Sequence, residues 1–139
     1  MIRIIGNSAK IIKAASACVW RGEEILLVQR GKALGYGRWS LPGGKLEAGE
    51  STKMAAAREL HEETAVIADL QFHVGDFEIE ANALRFVISC FTGFYVSGEA
   101  KAGDDAMAVA WVHHTALVEH DLAPNITEAV AIARNLIKL

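Results

Sequence analysis

Apolar residues are concentrated in short runs bounded by glycine or polar turn signals. Such runs predict β-strands, and five of them occur, at residues 11–20, 24–30, 70–79, 84–96 and 108–113. Only the turn Arg21-Gly22-Glu23 separates the first two runs, which are therefore predicted to pair as a β-hairpin. A second turn is predicted at residues 81–83, between the third and fourth strands.

Two further segments predict α-helices. Residues 50–64 contain neither glycine nor proline and are rich in Ala, Glu, Leu and Met, which favour helix formation. Residues 125–137 begin with Asn125 and Glu128 at the spacing of a capping box and continue with apolar residues at helical intervals. Strands with interspersed helices predict an α+β fold, in which a β-sheet is sandwiched between helices.

Between the second strand and the first helix, residues 31–49 carry six glycines and one proline. This composition predicts a long irregular loop. A loop of this length inside a compact domain usually carries function.

Composition and charge narrow the class of protein. The chain has 139 residues, of which 52% are hydrophobic, so it can bury the core of one domain spanning residues 1–139. Its formal net charge of −3 offers no basic excess for a nucleic-acid backbone, so nucleic acid is not expected as a partner. The local basic cluster of Arg21, Arg30, Lys32 and Arg38 suits a small anionic ligand instead.

Cys18 and Cys90 lie in apolar runs and are predicted to be reduced core residues. No run reaches the roughly 18 apolar residues that a membrane span requires. Lys10 and Lys13 interrupt the apolar stretch that a signal peptide would need. The protein is therefore expected in the cytoplasm and not in a membrane.

The first predicted helix contains a cluster of three glutamates. At about 100° per residue, Glu59, Glu62 and Glu63 fall within one arc of its surface. The broadly opposite side presents an apolar face that is predicted to pack on the sheet, formed by Met54, Ala57, Leu60 and Thr64.

Three carboxylates so close together repel one another, and a divalent cation would neutralise them. Mg²⁺ and Mn²⁺ prefer oxygen ligands of this type. Glu47 and Glu50, in or near the first helical turn, can add oxygens, and Arg58 can hold Glu50 or Glu62 in position. The alternative is a solvated acidic face that holds no metal.

The joined pattern of Gly44, Glu50 and residues 58–63 (RELHEE) resembles the Nudix box, the motif of hydrolases that cleave nucleoside diphosphates linked to another moiety. Residues 44–66 match the box at every diagnostic polar position. They depart from it at Ala65, where the family usually has a glycine that ends the helix in a left-handed conformation. The flanking residues 39–44 (WSLPGG) are also similar to the family, and residues 102–112 (AGDDAMAVAWV) resemble its ADP-ribose pyrophosphatase branch.

The resemblance implies a mixed sheet in an α/β/α sandwich and a bound Mg²⁺ or Mn²⁺ ion. It implies that the metal ligands are Glu59, Glu62, Glu63 and the carbonyl of Gly43. Glu50 would be an outer ligand or an orienting carboxylate, and Arg58 its brace, which completes the catalytic set. Lys45, Arg38 and Arg30 are candidates for binding the substrate phosphates, with a solvated surface as their alternative.

The general base stays open among Glu62, Glu63, Asp104 and Asp105. The favoured substrate is a nucleoside diphosphate derivative such as ADP-ribose. A nucleoside triphosphate pyrophosphatase and a nucleotide sensor without turnover are the alternatives. The expected partner is thus a small-molecule nucleotide, and a homodimer is one alternative for the oligomeric state.

Three sets of residues give weaker signals. Trp39, Phe86 and Trp111 could stack on a base or belong to the core. His113 and His114 could suggest a metal site, but adjacent residues on a strand are expected to point to opposite faces. His61 is predicted to lie on the helix away from the glutamates, as a surface residue or a packing residue.

Overall fold

A computed structural model describes residues 10–32 and 35–138. Within these ranges seven strands form one sheet: β1 (Lys10–Arg21), β2 (Glu24–Arg30), β3 (Trp39–Ser40), β4 (Gly43–Lys45), β5 (Ile67–Ala81), β6 (Leu84–Ser97) and β7 (Ala106–His113). The helices are α1 (Thr52–Thr64), α2 (Ile126–Ile137) and a 3₁₀ helix (His114–Glu119). All five predicted strands and both predicted helices are present, with ends shifted by up to three residues.

The sheet is mixed. Its main order is β3-β2-β1-β6-β5, with β4 paired to β1 and β7 paired to β2. The long pairing of β1 with β6 is parallel, and the other pairings are antiparallel. The predicted hairpin of β1 and β2 is confirmed by the pairs Trp20 with Ile25 and Arg21 with Glu24.

Helices cover both faces of the sheet. On one face, α2 contributes Ala129, Val130 and Ala133 to a core that also contains Trp20 and Leu27. On the other face, α1 packs Ala55, Ala56 and Leu60 against Ala15, Ala17 and Val19 of β1. The predicted α+β sandwich is thereby confirmed.

The prediction of one irregular loop over residues 31–49 is wrong in part, because the short strands β3 and β4 form inside it. Each is paired to a longer strand, β3 to β2 and β4 to β1. The isolated sequence of two or three residues carries no alternating pattern, so only the neighbouring strand determines its conformation. This pairing attaches Gly43 and Gly44 to the centre of the sheet.

The predicted apolar face of α1 is also wrong in part. Leu60 and Thr64 are buried as expected, but Met54 and Ala57 are exposed, and the sheet-facing residues include Ala55 and Ala56 instead. The helix is rotated because its glutamate side also faces protein. Solvent therefore contacts the side that carries Met54 and Ala57.

Helix α2 begins at Ile126 as predicted, but no capping box forms. Asn125 has a left-handed backbone with φ of 71°, and its side chain makes no capping hydrogen bond. In the ranges that the structure describes, no helix combines the length and apolar character needed to cross a membrane.

Ala65 ends α1 in the left-handed conformation, with φ of 65° and ψ of 10°, and its N–H donates to the His61 carbonyl. Alanine thus adopts the backbone that glycine usually provides at this position. A left-handed alanine is strained by roughly 1 kcal/mol relative to glycine. We expect Ala65→Gly to raise the free energy of unfolding by up to about 1 kcal/mol, measured by urea denaturation.

Ala57 provides the matched control, because it is exposed in the interior of the same helix. Ala57→Gly should lower the free energy of unfolding by about 1 kcal/mol, as glycine does in helix interiors. A loss of stability in Ala65→Gly that equals the loss in Ala57→Gly would contradict the strained cap.

Candidate active site

The start of α1 places the first of the acidic residues. Ser51 is the N-cap, and its hydroxyl accepts a hydrogen bond from the Met54 N–H at 3.1 Å. Glu50 therefore lies before the helix and not in its first turn, which corrects the sequence-based placement. Its carboxylate instead accepts the N–H of Glu47 at 2.8 Å and faces Arg58.

Arg58 connects the acidic residues to one another. Its Nε donates to Glu50 Oε2 at 2.6 Å, and its Nη1 donates to Glu59 and Glu62, each at 3.1 Å. Its Nη2 donates to Glu50 Oε1 and to the Lys45 carbonyl, both at 3.0 Å. This hydrogen bonding lowers the pKa of Glu50. One guanidinium thus offsets the repulsion among the carboxylates and fastens α1 to β4.

Glu59 and Glu63, one helical turn apart, point from α1 into a cleft. Glu63 is only 9% exposed, and its Oε1 accepts the Gly43 N–H at 3.1 Å. Burial raises the pKa of Glu63 to about 7 and also raises the pKa of Glu59. The Glu62 side chain is 42% exposed and is held by Arg58 at the side of the cleft.

The cleft has a volume of about 740 Å³ and combines three kinds of surface. Its acidic part contains Glu59 and Glu63 beside Gly43 and Gly44. Its basic part is formed by Arg30, Lys32, Arg38 and Lys45. Its apolar part is formed by residues that include Phe77, Ile79, Leu84, Phe86 and Ile88.

The structure therefore brings together most of the residues singled out from the sequence. Arg30, Arg38, Gly43, Lys45, Glu59 and Glu63 line this one cleft, and Glu50, Arg58 and Glu62 adjoin it. Arg21 does not join the basic cluster, because its guanidinium lies over the ring of Trp111, 4.1 Å from the centroid.

The two aspartates predicted as candidate general bases, Asp104 and Asp105, lie in the loop before β7 but in different environments. The backbone of this loop docks on the end of α1, where the N–H of Gly103 donates to the Glu63 carbonyl at 2.9 Å. Asp105 lines the cleft and forms an ion pair with Lys32 at 3.0 Å, and its charge contributes to the raised pKa of Glu63. Asp104 takes a positive φ of 38° in the turn and is not part of the cleft lining.

Sequence reasoning missed several cleft residues. Asn125 was predicted to cap α2, yet it lines the cleft, and its unusual φ was not evident from the helical pattern. Ser16 and Cys90 line the cleft floor from β1 and β6. A strand pattern alone predicts burial and cannot distinguish a core position from a pocket floor.

Of the three aromatic candidates, only Phe86 lines the cleft. Trp39 packs edge-on against His120, with ring centroids 5.5 Å apart, and joins the core on that face. Trp111 lies beneath Arg21 and near Tyr95. His61 is exposed, so of its two predicted alternatives the structure shows the surface residue.

The expectation that His113 and His114 point apart is wrong. β7 ends at His113, which caps the 3₁₀ helix, so the two rings stack with centroids 4.8 Å apart. Together with Glu23 they offer possible metal-ligand atoms within 4.8 Å of one another. However, Arg134 contacts both His114 and Glu23, at 3.2 Å each, so a guanidinium already supplies the positive charge there.

The two glycines of β4 are required for different reasons. A Cβ at Gly43 would meet backbone atoms of β1, including Ser16 Cα at 2.9 Å, so β4 would have to move from its partner. A Cβ at Gly44 would meet the carboxylate of Glu59, which can rotate away.

We therefore expect Gly43→Ala to lower both stability and hydrolytic activity, with a loss of about 2 kcal/mol or more in unfolding free energy. Gly44→Ala should keep stability within about 1 kcal/mol while lowering kcat by at least roughly tenfold, because it displaces one carboxylate. Denaturation and steady-state kinetics on both variants test this. Equal stability losses in the two variants would contradict the assignment.

A family model described as NUDIX domain matches residues 10–133. The chain therefore belongs to the Nudix family of pyrophosphohydrolases, and the resemblance found in residues 44–66 is confirmed.

Relatives with different names share this family. A Mycobacterium tuberculosis protein with the provisional name 8-oxo-dGTP diphosphatase 2 is 38% identical over 117 residues, which cover 81% of this chain and 80% of the relative. The ADP-ribose pyrophosphatase of Methanocaldococcus jannaschii is 36% identical over 95 residues, which cover 67% of this chain and 56% of the relative.

Among solved structures, the MutT protein from Methanosarcina mazei superposes with a TM-score of 0.81 at 25% identity. The superposition covers 94% of this chain and 99% of that protein. The match therefore extends over the whole sandwich and is not confined to the acidic helix.

Proposed function

We propose that this protein uses Mg²⁺ or Mn²⁺ to hydrolyse a phosphoanhydride bond of a nucleoside triphosphate, releasing pyrophosphate and a nucleoside monophosphate. One observation carries the proposal: a single cleft is lined by two glutamates, four basic side chains and several apolar side chains. The apolar side chains suit a base, and the basic residues suit a chain of phosphates.

The residues around α1 fit a hard divalent cation. Glu59 and Glu63 direct oxygen ligands into the cleft, and glycine at 44 lets the backbone approach the Glu59 carboxylate more closely than any other residue would. We assign Glu59, Glu62, Glu63 and the Gly43 carbonyl as metal ligands, with Glu50 and Arg58 positioning them. When bound, the ion makes the phosphorus more electrophilic and a bound water more acidic.

The protein's own groups supply the remaining functions. Arg30, Arg38 and Lys45 neutralise the phosphate oxygens, and we assign Asp105 to accept the proton of the attacking water. Glu62 is less suited to that task because its side chain is not part of the cleft lining, whereas Asp105 lines the cleft. Lys32 pairs with Asp105 at 3.0 Å, and both residues line the cleft.

Asp104 offers a matched control for the assigned base, because it is the neighbouring aspartate and lies outside the cleft lining. We expect Asp105→Asn to lower kcat by roughly 10²–10⁴-fold and Asp104→Asn to change it by less than about twofold. Initial rates with each variant, at saturating Mg²⁺, measure the difference. Equal rates in the two variants would remove Asp105 from the mechanism.

ADP-ribose is the second candidate substrate. It is supported by the resemblance of residues 102–112 to the ADP-ribose pyrophosphatase branch and by the archaeal relative of that name. The triphosphate is favoured because Arg30, Arg38 and Lys45 line the cleft in addition to the Lys32 that pairs with Asp105, whereas ADP-ribose carries an uncharged sugar beyond its second phosphate.

A substrate panel decides between the candidates. Nucleoside triphosphates, including 8-oxo-dGTP, are compared with ADP-ribose in Mg²⁺, and the products are separated by chromatography. Pyrophosphate with a monophosphate supports the proposal, whereas AMP with ribose 5-phosphate supports the alternative. Binding without any product would indicate a sensor, and turnover that persists in EDTA would exclude the metal.

A further inference from the structure

Ser16 lies at an unusual position on the floor of the cleft. It is paired with Cys90 across the parallel ladder of β1 and β6, and both side chains line the cleft. Ser16 is 9% exposed and Cys90 is 1% exposed, so bulk water has little access to either. A ligand that fills the cleft would complete their burial.

Two buried threonine hydroxyls, on β6 and α1, bond both as donor and as acceptor, whereas the buried Ser89 of β6 only donates, to Asp76 at 2.8 Å. Thr92 Oγ1 donates to the Cys18 carbonyl at 2.7 Å and accepts the indole N–H of Trp20 at 2.9 Å. Thr64 Oγ1 donates to the Leu60 carbonyl at 2.6 Å and accepts the Val66 N–H at 3.1 Å. Each threonine hydroxyl thus uses its donor and at least one acceptor lone pair.

Ser16 differs from both threonines. Its hydroxyl interacts with the Cys90 sulfur, which is a weak acceptor, while the Cys90 thiol itself is directed to the Phe91 carbonyl at 3.9 Å. Within residues 10–32 and 35–138, no group donates a hydrogen bond to Ser16 Oγ. Ser16 Oγ therefore has acceptor lone pairs available on the cleft wall, where a ligand can supply the missing donor.

The surroundings of Ser16 indicate which part of a ligand reaches it. Ala14, Phe77 and Ile88 also line the cleft, and these apolar side chains suit the flat face of a base. Bases carry N–H donors on their edges. Ser40 also lines the cleft and donates its hydroxyl to the Leu41 carbonyl at 3.3 Å, but it lies on β3, away from the paired strands β1, β6 and β5 that carry these apolar side chains.

We propose that Ser16 Oγ accepts a hydrogen bond from the exocyclic amino group of the substrate base and so determines which bases the cleft prefers. This inference rests on the proposed function for the identity of the ligand. It adds a specificity-determining residue on β1.

The test compares nucleotides that differ by one amino group. The pairs are GTP with ITP, ATP with purine riboside triphosphate, and CTP with the triphosphate of 2-pyrimidinone riboside. Wild-type protein should discriminate within at least one pair by roughly tenfold in kcat/KM, the value of one buried hydrogen bond. Ser16→Ala should reduce that ratio to within about twofold, and Ser16→Cys, which retains a weak acceptor, should behave similarly.

Ser40→Ala is the matched control and should leave the ratio unchanged. A loss of rate that is equal for both members of every pair in Ser16→Ala would show a structural role and overturn the proposal. A wild-type protein that discriminates within none of the pairs would also overturn it. If Ser16→Ala changes only the ratio of GTP to dGTP, the contact is to the sugar and the base assignment is wrong.

Binding measurements test this inference independently of the proposed function. Calorimetric titration with the monophosphates GMP and IMP, AMP and purine riboside monophosphate, and CMP and its 2-pyrimidinone analogue requires no turnover. If wild-type protein hydrolyses no triphosphate, the proposed function fails, yet a Ser16-dependent ratio of dissociation constants still supports the base contact. Ratios that are identical in wild type and Ser16→Ala overturn the inference whatever the activity.

Discussion

Replacing Glu63 by glutamine is expected to lower kcat by roughly 10³-fold or more while leaving the fold intact. Glutamine keeps the shape of the side chain and an oxygen that can accept the Gly43 N–H, but it removes the charge that a cation requires. Kinetics at saturating Mg²⁺ measure the loss, and circular dichroism verifies the fold. Glu128→Gln on the exposed surface of α2 is the control and should retain full activity.

Glu63→Gln is expected to lower kcat but to make the stability of the metal-free protein less sensitive to rising pH. Burial raises the pKa of Glu63 to about 7 from an ordinary value of 4.5. The folded, metal-free protein therefore holds this proton more tightly than the unfolded chain. The stability from this group is fully present below about pH 4.5 and is lost as the pH rises through about 7.

We accordingly expect metal-free wild type to lose on the order of 2 kcal/mol relative to Glu63→Gln between pH 5.5 and pH 8, since one pKa unit corresponds to about 1.4 kcal/mol. Urea denaturation in EDTA at the two pH values measures this difference. Added Mg²⁺ should stabilise wild type at pH 8 more than Glu63→Gln. A difference between the two proteins that does not change with pH would show that the Glu63 carboxyl is not perturbed by burial.

Replacing Arg58 by lysine is the second change with a large expected effect. Lysine keeps the positive charge but cannot reproduce the fork that binds Glu50 with two nitrogens and reaches Glu59 and Glu62 as well. We expect kcat/KM to fall by roughly 10–100-fold and the free energy of unfolding to fall by about 1–3 kcal/mol. Steady-state kinetics and urea denaturation measure the two losses.

Arg85 is the matched control for Arg58. It binds Glu78 through Nε at 3.1 Å and Nη2 at 3.0 Å, in an exposed pair on the β5–β6 hairpin. Arg85→Lys should cost less than about 1 kcal/mol and leave the kinetics unchanged. If Arg58→Lys behaves like Arg85→Lys, the guanidinium is not needed to position the carboxylates.

The sequence was most informative where structure depends on neighbouring residues. Glu59 and Glu63 share a face because the helix brings residues four apart together, and this spacing is readable without any tertiary contact. The turn at Asn82 and Ala83 and the left-handed end of α1 at Ala65 are likewise local features. The strands and both helices were predicted for the same reason.

The cleft floor could not be predicted because it depends on distant pairings. Ser16 and Cys90 meet only when β1 pairs with β6, and Asn125 reaches the same cleft from the start of α2. The helical pattern predicts Met54 in the core, but the packing of α1 on the sheet leaves Met54 exposed. The predicted orientation of His113 and His114 is wrong because a 3₁₀ helix begins at His114. The strand pattern of the sequence does not indicate this helix.

The parallel pairing of β1 with β6 also limits when the nascent chain can complete its fold. Thr92 bonds to Cys18 across 74 positions of the chain, and β4 is held in place by β1. Non-local pairings of this kind close large loops and form slowly. When synthesis has just passed α1, the nascent chain therefore has the carboxylates of that helix but lacks β6, which forms part of the cleft floor. Catalytic competence should emerge only after β6 has left the ribosome.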